Sequence, residues 1–490
     1  MENHDTDSYS IEESETKYQS GSKDVSASVE EDDTKGKRPV SFHVRRILGF
    51  ANYAILYALV FFQRTCPSIV SADMAKDYGV PKKDLGVFSS IFFYPYGIVQ
   101  PFAGLLADVV EPAYVIGICQ LIAGVGTIIC GLSNSMSVGC IGRFLVGLGC
   151  GPTYVPIVRI IANWFPLKYY AHMCGVLLAI GGVGGIIAQG PLSSFAQAVG
   201  WRWSFYGIGG LGILFSITEL LFVRGDPTTL GYKPVNKDIA AHADADSSCK
   251  DKLRQLFSNF KSVVAYPWFW LVVIYSVFCS GPYFDVSGMW GGPFLTDVFN
   301  MEATKVGNTL IALSVGLIAG SLFIPPLSSV FRTRKWVLFV TALIACISLT
   351  VFAIFGSKLP YGVVILLFLF LGMFTNSMTS VCYPLIREYF HPAIAGTAVG
   401  CANIFTFLST AVFQNISGEV IALTGKTDDP ERYSERGYQI GLWMITAISM
   451  GISTLVIAFA KDSQFAPKAK KSEAEDDLEK EQVGSDLGEL

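Results

Sequence analysis

Residues 154–166 are YVPIVRIIANWFP, and residues 383–392 are YPLIREYFHP. Each stretch ends a long apolar run with a P-x-x-R element, which closes at Arg159 in the first copy and at Arg387 in the second. A Phe and a Pro follow in both copies. Because the two elements stand at corresponding places in the chain, they indicate a duplicated half.

Twelve apolar runs contain or flank these two elements. Of the 490 residues, 51% are hydrophobic and 16% are charged, whereas soluble proteins carry about 25% charged residues. Each run has about 20 residues or more, enough for a helix to cross roughly 30 Å of hydrocarbon. The runs lie at residues 47–70, 86–107, 113–132, 138–160, 173–196, 203–223, 266–292, 305–328, 336–356, 361–386, 394–422 and 439–460. We predict an all-α membrane protein with twelve transmembrane helices in two pseudo-symmetric six-helix bundles.

Polar stretches divide the chain into five parts. We predict a disordered cytosolic tail at 1–41, a six-helix bundle at 42–223, a cytosolic linker at 224–265, a second six-helix bundle at 266–460 and a disordered cytosolic tail at 461–490. Lys and Arg are frequent before the first run, in the linker and after the eighth run. Cytoplasmic loops are enriched in these residues, so we expect both termini in the cytosol. The plasma membrane and an endolysosomal membrane are both open.

The composition and the motifs exclude several classes of protein. A net charge of −4 and a pI of about 5.8 argue against a nucleic-acid partner. The chain has no G-x-x-x-x-G-K-[ST] loop, no H-E-x-x-H and no G-x-S-x-G. None of the eleven cysteines stands in a C-x-x-C pair, and most lie in apolar runs. We therefore expect neither an enzyme nor a cofactor or metal site.

Arg64 is the most informative single residue. It lies inside the first apolar run, in the stretch FFQRTCP at 61–67. A guanidinium keeps its charge, and burying it in a membrane costs several kcal/mol, so it must face water, a partner or an anionic ligand. Tyr57 stands seven residues earlier and shares its helical face. We predict that both residues bind substrate; the alternative is an arginine that extends to the outer headgroups.

Other polar residues at mid-span depth are candidates for lining a cavity. The substrate-binding candidates are Tyr154, Gln189, Asn376 and Asn403, although a single such residue also serves to join helices. Asp285 and Glu419 are the acids nearest to the membrane interior, and we predict them as proton-coupling candidates. Gly281-Pro282, just before Asp285, is expected to break the seventh span.

Four charged residues are candidates for gating or structural roles, namely Asp108, Arg143, Arg159 and Arg387. Arg143 lies a few residues inside the fourth run and is expected to pair with a polar group across the half, to relay protons or to anchor the outer interface. Arg159 and Arg387 either anchor the cytosolic ends of their spans or form a gate. A gate would pair them with acids such as Asp108, Glu219 or Glu388.

Two motifs resemble the major facilitator superfamily, whose layout of six plus six spans matches nearly the whole of 42–460. Gly104-Leu-Leu-Ala-Asp108 is similar to the start of that family's loop signature, but Val109-Val-Glu111-Pro112 stands where its basic residues are expected. The pattern R-x-x-x-G-x-G at 143–149 is similar to its fourth-span signature. The resemblance implies the major facilitator fold.

Within that superfamily, Arg64 stands where organic-anion and organophosphate carriers, including sialin-like proteins and sugar-acid symporters, have a substrate-binding arginine. The stretches WFP at 164–166 and WGGPFL at 290–295 also resemble that branch. The chain departs from the branch in two respects. Its seventh span carries no basic residue, which disfavours a dianionic phosphate, and Cys150 replaces the coupling glutamate of sugar-acid symporters.

The resemblance implies a secondary-active carrier of a small organic solute, a carboxylate-bearing anion or a zwitterion, that works by alternating access. Its expected energy source is coupling to protons or exchange. Carriers of amino acids, dipeptides, sugars or sugar phosphates stay open within this class. A transport-inactive receptor that keeps the carrier fold is the alternative, and a channel is a third. The expected partners are the solute, protons and the lipid bilayer, and we expect a monomer without nucleic acid.

Overall fold

The computed structural model describes residues 39–236, 249–375, 378–427 and 432–462, which form helices and connecting loops and contain no β-strand. The described residues divide after Phe50 into two units. The described part of the first unit is the beginning of a helix, in which Arg46 lies 5.6 Å from the ring of Phe42. The predicted tails fall almost entirely outside the described residues.

Within the described residues, twelve helical segments are long and apolar enough to span a bilayer. We number them spans 1 to 12: Val40–Thr65, Asp84–Ala107, Pro112–Leu132, Met136–Trp164, Lys168–Val199, Trp201–Phe222, Pro267–Phe299, Ala303–Val330, Lys335–Lys358, Tyr361–Glu388, Ile394–Thr424 and Glu435–Phe459. The prediction of an all-α protein with twelve transmembrane helices is confirmed. The run lengths sufficed because a bilayer requires its spanning segments to satisfy their own backbone hydrogen bonds.

Several spans are built from more than one helix. Spans 2, 4 and 5 consist of helix pairs, at Asp84–Ser90 and Phe93–Val109, Met136–Cys150 and Tyr154–Trp164, and Leu167–Ile187 and Gly190–Val199. Spans 7, 10 and 12 contain π-helical turns at Val286–Trp290, Met378–Cys382 and Gln439–Met444. Such turns interrupt the regular backbone bonding and are frequent at functional sites.

Two shorter helices connect spans. Pro67–Tyr78 follows span 1, and Cys249–Val264 lies in the predicted linker. The remainder of that linker includes 237–248, which lie outside the described residues, and a short 3₁₀ turn at Pro227–Leu230. The linker therefore contains a helix that its polar composition did not predict.

Two breaks differ from the sequence prediction. The first apolar run was expected to continue past Pro67 as one span, but the helix ends at Thr65 and a new one starts at Pro67. Pro282 was expected to break span 7, but it lies inside the helix Pro267–Asp285, and the irregular turn begins only at Val286. Proline removes one backbone donor, and the surrounding helices of a membrane protein tolerate that loss.

The loops gather at two opposite faces. Loops that follow odd-numbered spans meet at one face, as when Tyr78 bonds Ser133 at 2.5 Å and Arg202 bonds the Ser133 carbonyl at 3.2 Å. We call this the distal face. Loops that follow even-numbered spans meet at the other, proximal face, where Asn236 donates to the Phe165 carbonyl at 3.0 Å.

Glycines allow close packing within and between the halves. A Cβ added to Gly149 of span 4 would overlap the Cys119 carbonyl of span 3, and one added to Gly372 of span 10 would overlap the Leu313 carbonyl of span 8. Between the halves, span 2 packs on span 11 and span 5 on span 8. Small residues let membrane helices approach in this way.

Candidate functional site

Arg64 lies at the break of span 1, one residue before its helix ends. Its side chain is 6% exposed. One guanidinium nitrogen, Nη2, donates to the hydroxyl of Tyr96 on span 2. The guanidinium is therefore enclosed by protein and does not extend to the lipid headgroups, which was the alternative considered for Arg64.

Four aromatic rings surround the Arg64 guanidinium. Its central carbon lies 4.9 Å from the ring centroid of Phe61, 4.6 Å from Tyr96, 6.0 Å from Phe284 and 5.3 Å from Phe407. These rings come from spans 1, 2, 7 and 11, so both halves contribute. Ring faces attract a cation, and the attraction grows when water is excluded.

No carboxylate of the described residues forms an ion pair with Arg64, and its Nε has no hydrogen-bond partner among them. A buried charge without a counter-charge is costly, and rings compensate it only in part. A guanidinium presents donors in a planar fork that suits carboxylate, sulfonate or phosphate oxygens. The geometry therefore favours an anionic ligand at the contact between the halves.

Tyr57 and Tyr154 extend this aromatic cluster. Their ring centroids are 5.6 Å apart, and the ring of Tyr57 packs edge-on against Phe61 at 5.3 Å. Phe61 in turn lies over Arg64. The structure thus brings together three of the substrate-binding residues that the sequence predicted, with Phe61 as the connecting ring.

The other three predicted binding residues have different surroundings. Gln189 on span 5 accepts a hydrogen bond of 3.0 Å from Ser314 on span 8 and so joins the halves, while its Nε2 has no partner among the described residues. Asn403 on span 11 accepts from the hydroxyl of Tyr383 on span 10. Asn376 lies outside the described residues.

The two predicted proton-coupling acids differ sharply in exposure. Asp285 is completely buried; one carboxyl oxygen accepts from Ser417 Oγ at 2.6 Å, and the other has no partner among the described residues. The Glu419 side chain is 58% exposed and pairs with Lys83 at 3.0 Å near the distal face. Of the two, Asp285 has the environment of a membrane-embedded acid.

Arg143 is fully buried and donates to the backbone carbonyl of Gln63 at 2.9 Å. Its guanidinium lies over the rings of Phe88 and Phe92 on span 2. The predicted role as an anchor at the outer interface is therefore wrong, because the side chain turns into the N-terminal half. Its hydrogen-bond partner, the carbonyl of Gln63, belongs to span 1.

The predicted gate charges lie near the proximal face. Arg159 is half-buried and Arg387 is exposed. Glu388, one of the expected acidic partners, pairs instead with Arg334 at 2.6 Å. Glu219, another, accepts from the Asn52 amide at 2.6 Å within its own half. Asp108 belongs to the helix Phe93–Val109, but its side chain lies outside the described residues.

Ion pairs join the halves at the distal face. Asp297 at the end of span 7 accepts from Lys82 Nζ at 2.8 Å and from the Tyr438 hydroxyl at 2.8 Å. Lys83, the next residue, pairs with Glu419. In the state described here, these contacts hold the distal ends of the two halves together.

A further ion pair at the distal face stays within one half. Asp77 accepts from Trp201 Nε1 at 2.9 Å and from the Arg202 guanidinium. Partial burial alone would raise the pKa of Asp77, but these two donors outweigh it and hold the pKa below its ordinary value.

Sequence analysis missed Tyr96, Phe284, Phe407 and Asp297. The three aromatic residues stand in apolar runs with many other Phe and Tyr residues, so no local pattern separates a ring over Arg64 from a ring in the lipid-facing surface. Asp297 was not recognised because it follows an apolar run, and an acid at that place is expected to contact the lipid headgroups. To predict the three rings or Asp297 as site residues, one would have to know which face of each helix points toward the other half.

Twelve apolar spans in two related halves, with a buried cation between them, define an integral, multi-pass membrane protein of the transporter type. The family described as the Major Facilitator Superfamily matches residues 53–290 and 277–486. The chain therefore belongs to the Major Facilitator Superfamily.

The chain is also similar to individual proteins. A probable sulfoacetate transporter of Cupriavidus necator is 22% identical over 419 residues, which cover 83% of this chain and 91% of that protein. A probable hexose phosphate transport protein of Chlamydia pneumoniae is 24% identical and covers 78% of this chain and 86% of its own. A solved bacterial homologue of the human lysosomal transporter Spinster, inward-facing and unoccupied, superposes with a TM-score of 0.67 at 18% identity, over 87% of this chain and 97% of its own. This last likeness shows the fold.

Proposed function

We propose that this protein is a secondary-active carrier of a small organic anion and that Arg64 binds the negative group of the substrate. The single observation that carries the proposal is a buried guanidinium, without a carboxylate partner among the described residues, at the contact between the two halves. Alternating access requires a binding site that each side reaches in turn, and a site at the contact between the halves satisfies this. The two curated relatives, both named as carriers of anionic compounds, support the same class.

The substrate of this proposal is an anion or a zwitterion, and one of its negative groups, a carboxylate or a sulfonate, binds Arg64. Span 7 has no Lys or Arg, and the second buried cation, Arg143, is turned toward the backbone of Gln63. One guanidinium with four surrounding rings matches one anionic group attached to a less polar body. A doubly charged phosphate would need further cationic donors.

Proton coupling is proposed through Asp285. An isolated ionised carboxylate is very costly in a buried site, and the only described partner of Asp285 is the neutral hydroxyl of Ser417. We therefore assign the coupling proton to Asp285, whose second carboxyl oxygen has no partner among the described residues. Its neighbour in sequence, Phe284, lies over Arg64, so the proton site and the anion site share one segment of span 7.

We also propose an orientation of the protein across its membrane. With both termini in the cytosol, the proximal face is cytosolic and the distal face is extracytosolic or luminal. The Lys82–Asp297 and Lys83–Glu419 pairs then close the extracytosolic side. The two bundles, 42–223 and 266–460, rock about the contact to open it.

Flux through reconstituted liposomes tests this function. The purified protein is assayed for saturable counterflow of labelled sulfoacetate, glucuronate, glutamate and glucose 6-phosphate. We expect saturable exchange of sulfoacetate, glucuronate or glutamate in the wild type and in Arg254→Ala, an exposed arginine of the linker helix, and no such exchange in Arg64→Ala. Anion binding without flux would instead support the receptor, flux that does not saturate would support a channel, and undiminished exchange in Arg64→Ala would refute the role of Arg64.

A further inference from the structure

Pro67 leaves one backbone carbonyl of span 1 without its helical partner. In an α-helix the N–H of each residue donates to the carbonyl four positions earlier, so the partner of the Gln63 carbonyl would be the N–H of residue 67. Proline has no N–H. The regular bonding continues only to Cys66, which donates to the Phe62 carbonyl at 3.0 Å, and the helix ends at Thr65.

Arg143 supplies the missing donor from span 4. Its Nη1 donates to the Gln63 carbonyl at 2.9 Å, and this is its one hydrogen bond to the described residues, since Nε and Nη2 have no partner there. The side chain has 0% exposure. A hydrogen bond from a charged donor is strong in a buried site, where an unpaired carbonyl is costly.

Neighbouring residues direct Arg143 to that carbonyl. Its guanidinium lies over the rings of Phe88 at 5.5 Å and Phe92 at 4.9 Å. Gly147, one turn further along span 4, packs so closely that a Cβ there would overlap the Phe92 carbonyl. The spacing of Arg143 and Gly147 thus brings span 4 against span 2 at the height of the break in span 1.

We propose that Arg143 is a positioning residue for Arg64: it replaces the backbone hydrogen bond that Pro67 removes and so fixes the end of span 1 where Arg64 lies. Gln63 is the residue directly before Arg64, so the bond restrains the backbone from which the binding side chain projects. The guanidinium of Arg143 contacts this carbonyl and two rings rather than the Arg64 cluster.

The proposal predicts a specific rescue. In Arg143→Met the charged donor is lost and the Gln63 carbonyl keeps only the weak thiol donor of Cys66, 3.8 Å away, so the amides of residues 62–66 should exchange about tenfold faster with deuterium than in the wild type. In the double variant Arg143→Met/Pro67→Ala, the new N–H of residue 67 can bond Gln63, and exchange should return to within about twofold of the wild type. The measurement is hydrogen–deuterium exchange by mass spectrometry on the full-length purified protein, and it requires no knowledge of the transported anion.

Two comparisons separate positioning from a general structural role. Arg143→Lys keeps a charged donor, so its exchange at residues 62–66 should lie between the wild type and Arg143→Met. The melting temperature should not fall in proportion to the faster exchange at residues 62–66. The reason is that Arg143→Met also removes a buried charge without a described counter-charge, and this removal is itself stabilising. If Arg143→Met does not accumulate in the membrane, restored accumulation in the double variant supports the proposal, and continued failure overturns it. Unchanged exchange in Arg143→Met, or exchange that stays fast in the double variant, would also overturn it.

Discussion

The Nζ atom of Lys82, in the loop before span 2, lies 2.8 Å from a carboxylate oxygen of Asp297 at the end of span 7. The side chain of Asp297 has no exposed surface, and that of Lys82 is 12% exposed. A buried pair that loses one partner leaves a costly unpaired charge. This pair therefore holds the distal face closed more firmly than an exposed ion pair would.

Removal of the acid should open that face. In Asp297→Asn the ammonium of Lys82 is buried without a counter-charge whenever the distal face is closed, so the equilibrium shifts toward the open state. We expect a cysteine introduced at Ser90, which is buried between the halves and bonded to Asn415 at 2.9 Å, to react about tenfold faster with a membrane-impermeant maleimide. Asp77→Asn is the matched control, since it breaks an ion pair at the same face but within one half. If the cysteine reacts faster by the same factor in both variants, the Lys82–Asp297 pair does not hold the two halves together.

The aromatic rings over Arg64 should contribute to transport through the guanidinium. Phe407→Leu keeps an apolar side chain but removes a ring face 5.3 Å from the cation, a contribution of about 1 kcal/mol. The concentration of anion at half-maximal uptake should rise about fivefold, with the protein still folded. Phe278→Leu serves as the control because the ring of Phe278 packs on Phe413 and not on Arg64. A similar rise in both variants would show that only apolar packing was lost.

The charge geometry at position 64 should matter as well as its sign. Arg64→Lys keeps the cation but replaces a planar fork with a single ammonium, so we expect uptake to fall by at least about tenfold. Initial rates of counterflow over a range of substrate concentrations measure this. Transport equal to that of the wild type would mean that the anion is not held by two parallel hydrogen bonds.

Asp285→Asn should separate exchange from proton-driven uptake. The amide oxygen can still accept from Ser417, so packing is retained, but the group no longer binds and releases a proton. We expect counterflow without a gradient to persist and acceleration by an inward proton gradient to disappear. Glu219→Gln is the control, because that acid is equally buried but is bonded to Asn52 inside the N-terminal half. Persistent acceleration in Asp285→Asn would exclude Asp285 as the coupling group.

The sequence predicted those parts of the fold that depend on one segment at a time. A run of about 20 apolar residues can do little else in a bilayer than cross it, so all twelve spans were visible. Arg64 was recognisable for the same reason, because an arginine at membrane depth needs a special environment whatever surrounds it. Its neighbours Phe284 and Phe407 come from spans 7 and 11, and their approach depends on packing that no single segment encodes.

The partner of Arg143 shows where a local signal existed and was not used. Pro67 stands four residues after Gln63, and this spacing alone indicates a carbonyl that needs a donor from elsewhere. The sequence did not show that the donor would come from span 4. Glu419 illustrates the converse: an acid inside an apolar run lies at its exposed end, because span 11 extends only five residues beyond it.

The central claim is that Arg64 binds the negative group of the substrate. Its most direct test is the change in melting temperature of the purified protein on addition of sulfoacetate, glucuronate, glutamate and glucose 6-phosphate, measured for the wild type, Arg64→Ala and Arg254→Ala. The account predicts that at least one of these anions stabilises the wild type and Arg254→Ala to the same degree and has no effect on Arg64→Ala. Equal stabilisation of Arg64→Ala by that anion would contradict the account.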